Sequence, residues 1–502
     1  MLIRVRLRII IFLIFSNAPL ILYGSGHSSE PLTDPIPRTI EFGGIKVKLN
    51  EVAGGMVSPV HGTYARGFPN QLYVVDQIGI VYQINLDSGE KTVFLDIQDR
   101  IATNIGGYDE RGLLGIAFHP QYRLNGLFYT YSSEEVDGEA DFPYDVNGSF
   151  GGHQSVINEW HVNNPLNTTE VTDPSSRREV MRIDQPSRFH NGGTMAFNKR
   201  GYLYIALGNG GPLDTPQDNS NIHGSVLRIV PNRNYAPVGN HALSENGEYL
   251  IPAGNPFVTD PESLDEIFAH GFRNVWGISV DRRSNKVYAG EVGNNDIEEV
   301  NQIKRGRNYG FPIKEGDFCF VGTGGRPTGQ PGVTDPSNCP DELLGLSGSL
   351  AEYDHDEGVA VIGGYVYRGT KKQNRCLRGL YFFGDYNGRL FYLDKKTIRE
   401  ASINGQDSLG SPLLGMAEDA RGELYLLVNN FGITLGNTGR VIRIEESTYI
   451  GDRKWINRLT GKGKYRRYPA SGCTTQESPR SRLIREYSGY KDQQWWQLFR
   501  RY

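Results

Sequence analysis

The sequence predicts an all-β chain folded as a six-bladed β-propeller with loop insertions, and three observations carry that expectation. Short strands with an aliphatic–aromatic pair recur six times, each after a turn: Leu72-Tyr73, Leu127-Phe128-Tyr129, Leu203-Tyr204, Val287-Tyr288, Leu380-Tyr381 and Leu424-Tyr425. Strand and turn repeated at intervals of tens of residues is the mark of propeller blades. The shortest interval, Leu380 to Leu424, suits a bare four-stranded blade, and the longest, Val287 to Leu380, leaves room for an inserted loop. Most pairs are followed, after a second turn, by another apolar run such as Gly79-Ile80-Val81-Tyr82-Gln83-Ile84 or Gly439-Arg440-Val441-Ile442-Arg443-Ile444. Finally, 62 glycines and 28 tyrosines among 502 residues, with no long helix-period run between residues 40 and 445, fit many short strands joined by turns.

Taken in order, the chain opens with Arg4, Arg6 and Arg8, then Ile9-Ile10-Ile11-Phe12-Leu13-Ile14-Phe15, a Ser-Asn-Ala-Pro break and the small residues Gly24-Ser25-Gly26. A basic start, a short apolar core and a small-residue exit read as a secretory signal peptide over residues 1–26. A signal anchor is the competing reading, because Leu20-Ile21-Leu22-Tyr23 extends the apolar run. No other segment is long and apolar enough to span a bilayer, so the mature chain is expected to be secreted, with no transmembrane segment. The propeller is placed at residues 39–446. The stretch from Thr39 to Leu49 is expected to add a strand to the last blade and close the ring, which removes exposed edges.

Two acceptor sequons, Asn147-Gly148-Ser149 and Asn167-Thr168-Thr169, lie in a polar insertion and fit exposed loops of an exported glycoprotein. Of the four cysteines, Cys319 and Cys339 bracket a Gly/Pro-rich loop and are expected to close it as a disulfide; Cys376 with Cys473 is left open. The net charge of −4 argues against a nucleic-acid surface. A basic extension, residues 447–502, differs: Lys462, Lys464, Arg466 and Arg467 cluster there, near Trp495, Trp496 and Phe499. It is either a solvated tail or an attachment to a heparin-like glycan or other acidic surface.

His190 opens His190-Asn191-Gly192-Gly193-Thr194, where two glycines leave the backbone bare beside a titratable ring just before a strand. This motif, with Asp109-Glu110-Arg111-Gly112-Leu113-Leu114-Gly115, Gly271-Phe272-Arg273-Asn274-Val275-Trp276-Gly277, Gly290-Glu291-Val292-Gly293 and Asn308-Tyr309-Gly310-Phe311-Pro312, resembles the glucose/sorbosone dehydrogenase family in family order over about residues 45–445. The family includes soluble pyrroloquinoline-quinone (PQQ) sugar dehydrogenases and hedgehog-interacting-protein-like proteins. The resemblance implies a six-bladed propeller and oxidation of the anomeric carbon of an aldose. In it His190 matches the base that takes the anomeric hydroxyl proton, and Arg273 and Asn274 match the pair on the quinone side. Glu110 stands in the cofactor region, where soluble glucose dehydrogenase carries a neutral glutamine. It also implies calcium, a hard ion taking oxygen ligands: the carbonyls of Gly293 and Asn294 at the cofactor, and Glu299 with the carbonyl of Tyr309 at a further site. Asp354-His355-Asp356-Glu357 is another oxygen-rich run, read here as an exposed turn.

This chain departs from the bacterial enzymes where they place cations for the three carboxylates of PQQ. Gly384-Asp385-Tyr386-Asn387-Gly388 has no lysine, and Leu413-Leu414-Gly415-Met416-Ala417-Glu418-Asp419 has no arginine. Two functions follow from the resemblance: a secreted PQQ- and calcium-dependent sugar dehydrogenase, or a non-catalytic secreted propeller that binds an extracellular protein or glycan.

Overall fold

The computed structural model describes residues 35–447, apart from 103–107, 147–151, 213, 295, 320–344, 405 and 407. The expected signal peptide, the basic extension, the first sequon and Cys339 therefore lie outside the described residues. Strands dominate, and helices are confined to turns of three to six residues.

Three sheets are four-stranded and antiparallel. They run Leu113–Phe118, Leu127–Glu134, His153–His161, Arg178–Gln185; then Met195–Phe197, Leu203–Ala206, Ser225–Ile229, Ile267–His270; then Val275–Val280, Val287–Glu291, Ile297–Ile303, Ala351–Asp354. A twelve-stranded sheet contains three further runs of the same pattern, beginning at Val361–Val366, Leu413–Glu418 and Pro59–Thr63. Parallel contacts join these runs: Gly62 lies opposite Ala417, and Phe42 and Lys46 lie opposite Glu400 and Ser402. The N-terminal strand Phe42–Met56 pairs antiparallel with Gly439–Glu446, so the start of the described chain covers the strand that ends it, as the sequence led us to expect.

Each run's first strand lies against the first strands of its neighbours. Glycines permit that approach. A Cβ on Gly415 would sit 1.8 Å from the Val60 carbonyl oxygen, and one on Gly115 would sit 2.2 Å from that of Gly193. The aliphatic–aromatic pairs fall on the second strands, at Leu72, Leu127, Leu203, Val287 and Leu424 with their neighbours, where the side chains are buried apart from half-buried Tyr288; of the sixth pair only Tyr381 lies in its strand, which begins there.

Trp276 closes the axis. Its Nε1 donates to the Leu414 carbonyl at 3.0 Å, and its own carbonyl accepts from Thr194 Oγ1 at 3.0 Å. The void left beside His61, Trp276 and Tyr365 is about 10 Å³, so the two ends of the axis are separate places.

Candidate functional site

Three loops meet at the end of the axis where the first strands begin. Gln185 ends a strand and the chain turns through His190 to Met195; Ala206 ends another and turns through Gly208-Asn209-Gly210; Gly271-Phe272-Arg273-Asn274 leads into Val275. The last two are tied by backbone: Asn209 N–H donates to the Arg273 carbonyl at 2.8 Å.

His190 holds φ +57, a left-handed conformation costly for a residue with a Cβ. What sustains it is Glu110, whose Oε2 accepts the His190 N–H at 2.7 Å and Asn274 Nδ2 at 3.2 Å. Glu110 is itself fixed between buried Asp109 and Arg111, which pair at 2.7 Å, and its Oε1 accepts from the Tyr108 hydroxyl at 3.2 Å. Burial pushes the Glu110 carboxyl above its ordinary range, opposed by the His190 amide and the Arg273 charge.

The ring's tautomer follows from its partners. Asn209 Nδ2 donates to the Pro212 carbonyl at 2.8 Å, so its Oδ1 faces His190 Nδ1 at 2.8 Å and accepts the ring proton. Nε2 is then the bare nitrogen, and it accepts from an Arg273 terminal nitrogen at 2.8 Å. Burial first, and the Arg273 charge second, lower the ring's pKa to about 3. The imidazole is a neutral acceptor throughout the physiological range.

Arg273 reaches Nε2 from a loosely held position. It donates to the Val292 carbonyl at 3.2 Å and to Asn294 Oδ1 at 3.3 Å, and its backbone N–H is anchored on Glu291 at 2.8 Å. Its guanidinium makes no ion pair with a described carboxylate. Burial lowers the Arg273 pKa, with Glu315, Glu110 and Glu298 opposing from further away. Asn274 faces the other way, its Oδ1 accepting from the Gly192 N–H at 3.1 Å. Four of the residues singled out from sequence, His190, Glu110, Arg273 and Asn274, are thus brought together.

The residues matched to calcium fall into two places. The N–H of Gly293 donates to Glu298 Oε1 at 3.2 Å and that of Asn294 to Glu315 Oε1 at 2.5 Å. The turn is therefore pinned by its N–H side, and backbone carbonyls are a donor set that suits a hard ion. Glu299 fits less well, and the Tyr309 side chain is engaged elsewhere, leaving only its carbonyl for an ion. Glu299 is buried, with Oε1 accepting from Gly316 N–H at 2.6 Å and Oε2 from Asn301 Nδ2 at 3.1 Å. The Tyr309 hydroxyl donates to the Gln302 carbonyl at 2.7 Å, and its ring stacks on Phe272 at 4.6 Å. A buried ammonium, Lys314, donates to the Gly316 carbonyl beside them at 2.5 Å. Among the described residues no three His, Cys, Asp or Glu side chains converge as a metal cluster. The run 354–357 is not the exposed turn expected: Asp354 and Glu357 are buried, the first accepting Ile36 N–H at 2.8 Å and the second pairing with Arg389 at 2.6 Å.

Sequence reasoning missed Asn209, Glu291 and Glu315. Asn209 had one visible signal, a polar residue between two glycines after a strand; Glu291 lay inside the Gly290-Glu291-Val292-Gly293 motif without a role, and Glu315 had no signal. It also left out Tyr108 and Phe189, whose rings lie 6.2 Å apart and nearly parallel beside Glu110 and His190.

A β-propeller-type fold with a histidine–arginine pair at one end of its axis defines the class. The chain belongs to the Glucose / Sorbosone dehydrogenase family, whose model matches residues 91–374. It is 27% identical over 420 residues to Hedgehog-interacting protein of Mus musculus (79% of this chain, 52% of that protein) and 29% identical over 325 residues to HIPL2 protein of Arabidopsis thaliana (60% and 45%). The chain thus spans about half the length of these relatives. Among solved structures, the PQQ-bound aldose sugar dehydrogenase of Streptomyces coelicolor aligns at a TM-score of 0.56 and 21% identity, over 80% of this chain and 99% of that one, which shows the fold. No described helix is long and apolar enough to cross a membrane.

Proposed function

We propose that this protein is a PQQ- and calcium-dependent aldose dehydrogenase in which His190 is the base. The observation that carries the reading is the tautomer of His190: Nδ1–H committed to Asn209, Nε2 without a proton and occupied only by the Arg273 donor that substrate would displace, and the ring neutral. A neutral imidazole with one lone pair at a mouth can take the proton of a hydroxyl, and Nε2 would take it from the sugar's anomeric oxygen as hydride leaves the anomeric carbon. PQQ, when bound, supplies the two-electron acceptor for that hydride. Arg273, half-buried and unpaired with a described carboxylate, suits an anionic or carbonyl oxygen of such a group. Asn274 fixes the loop of His190, and Glu110 positions both. The Gly293 and Asn294 carbonyls would hold calcium; at the further site Glu299 would join the Tyr309 carbonyl only by giving up bonds it now makes.

Six four-stranded blades closing through Phe42–Met56 would carry this site, with residues 1–26 as a signal peptide, 39–446 as the propeller, and secretion as the destination. Asn167 is exposed, as an acceptor asparagine must be. Titrating PQQ with calcium into the purified protein and following its absorbance tests the reading. A saturable change lost in Arg273→Ala supports it; no change refutes it.

A second reading, a non-catalytic propeller of the hedgehog-interacting-protein-like type, is favoured by the absence of a lysine in 384–388 and an arginine in 413–419. It predicts no PQQ binding in the same titration.

A further inference from the structure

Six turns join each run's first strand to its second, and they gather at the end of the axis opposite His190. Neighbouring turns touch around the ring. Arg421 donates to Asn70, and Gly67 lies within 3.4 Å of Arg123 for an added Cβ. Lys199 N–H donates to Asn285 Oδ1 at 3.2 Å, Arg368 pairs with Asp281 at 2.6 Å, and an added Cβ on Gly422 would meet the Arg368 backbone at 2.6 Å. His119, leading into the second turn, lies 5.6 Å from the ring of Phe197, which leads into the third.

Every one of these turns exposes an arginine: Arg66, Arg123, Arg200, Arg283, Arg375 and Arg421. None of the six pairs with a described carboxylate. The acids in the same turns, Asp281, Asp419 and Glu423, are buried and already bonded. At the opposite end the loop after Glu134 exposes Glu135, Asp137 and Glu139. Asp87, an exposed acid beside the first turn, is held by Asn70 and pairs with none of the six, so this end of a chain of net charge −4 presents six arginines without a described carboxylate partner, about 20 Å (one six-residue strand) from the His190 mouth.

We propose that this arginine ring is a docking face for a sulfated polysaccharide, a site separate from and independent of the dehydrogenase reading. Guanidinium forks match the paired oxygens of sulfate and carboxylate groups. Tyr235, packed on His119 at 5.4 Å, is an exposed aromatic ring beside this face, but one ring is a single platform where single-stranded nucleic acid stacks successive bases on several, which disfavours that ligand. Leu124 is strongly exposed in the second turn, as is Val238 next to Pro237 beside Gly201 of the third, and two apolar side chains are too few to enter a bilayer.

The test is binding of the full chain to immobilised heparin at about 0.15 M salt. The triple variant Arg66→Gln/Arg200→Gln/Arg421→Gln should weaken binding by roughly 10²-fold, from about a fivefold effect per lost charge near a polyanion. Circular dichroism checks its fold, and the single variants Arg66→Gln and Arg200→Gln, each expected to weaken binding several-fold, serve if the triple misfolds. Lys462→Gln/Lys464→Gln/Arg466→Gln/Arg467→Gln in the full chain should bind as the wild type does. Failure of the wild type to bind overturns the proposal, as does loss of binding in the tail variant with none in the ring variants. Equal affinity for phosphatidylserine vesicles or oligo-dT also overturns it.

Discussion

Arg273 donates a hydrogen bond to Nε2 of His190 at 2.8 Å, so a fixed positive charge sits on the lone pair that a base would use. Burial is the larger reason the ring stays neutral and the pair adds to it, which makes the ring's titration a readout of the contact.

Arg273→Met should raise the His190 pKa from about 3, because the arginine charge disfavours a second positive charge beside it. The value should stay below the ordinary 6.5, since burial is the larger cause. Imidazole proton NMR across pH 3 to 7 measures it.

Asn209→Ala removes the acceptor that holds Nδ1–H and frees the ring to change tautomer. If the protein turns over an aldose, kcat should fall by roughly 10–10²-fold with a smaller change in KM. A loss confined to KM would mean that Asn209 serves binding alone.

Glu110→Ala should destabilise the fold by about 2 kcal/mol or more, because the buried N–H of His190 and Nδ2 of Asn274 lose their shared acceptor. Urea unfolding of the two proteins gives the difference. Glu110→Gln should lose less, since an amide oxygen still accepts one of these bonds.

His61 is buried and its Nδ1 accepts the Ile116 N–H at 3.2 Å, which requires the neutral ring; burial lowers its pKa to about 4. The folded pKa lies below the unfolded 6.5, so the stability His61 contributes is present above pH 6.5 and lost as pH falls toward 4. Between pH 6.5 and 5 that loss is about 2 kcal/mol. His61→Gln should flatten the pH dependence of unfolding by about that amount over this interval.

The second strands were legible because they are covered on both faces and read as aliphatic–aromatic pairs; Leu203-Tyr204 and Leu424-Tyr425 fall inside theirs. The first strands were not. Met195–Phe197 is three residues long, and Gly115 and Gly415 interrupt theirs where neighbouring backbones approach. At the site, His190, Arg273 and Asn274 could be named from their motifs, but the roles of Glu110 and Asn209 could not. Both act through contacts 80 and 19 residues away in sequence, which no local pattern records. The arginine ring was hidden for the same reason: a single arginine in a turn reads as solvation, and only the fold assembles six of them on one face.

The most direct test of the central claim is aldose-dependent reduction of an artificial electron acceptor by the full chain reconstituted with PQQ and calcium, run beside His190→Ala. The account predicts turnover in the wild type and a loss of roughly 10²–10⁴-fold in the variant, with PQQ absorbance on binding unchanged. Equal rates in the two proteins, or no turnover by the wild type with any common aldose, would contradict it.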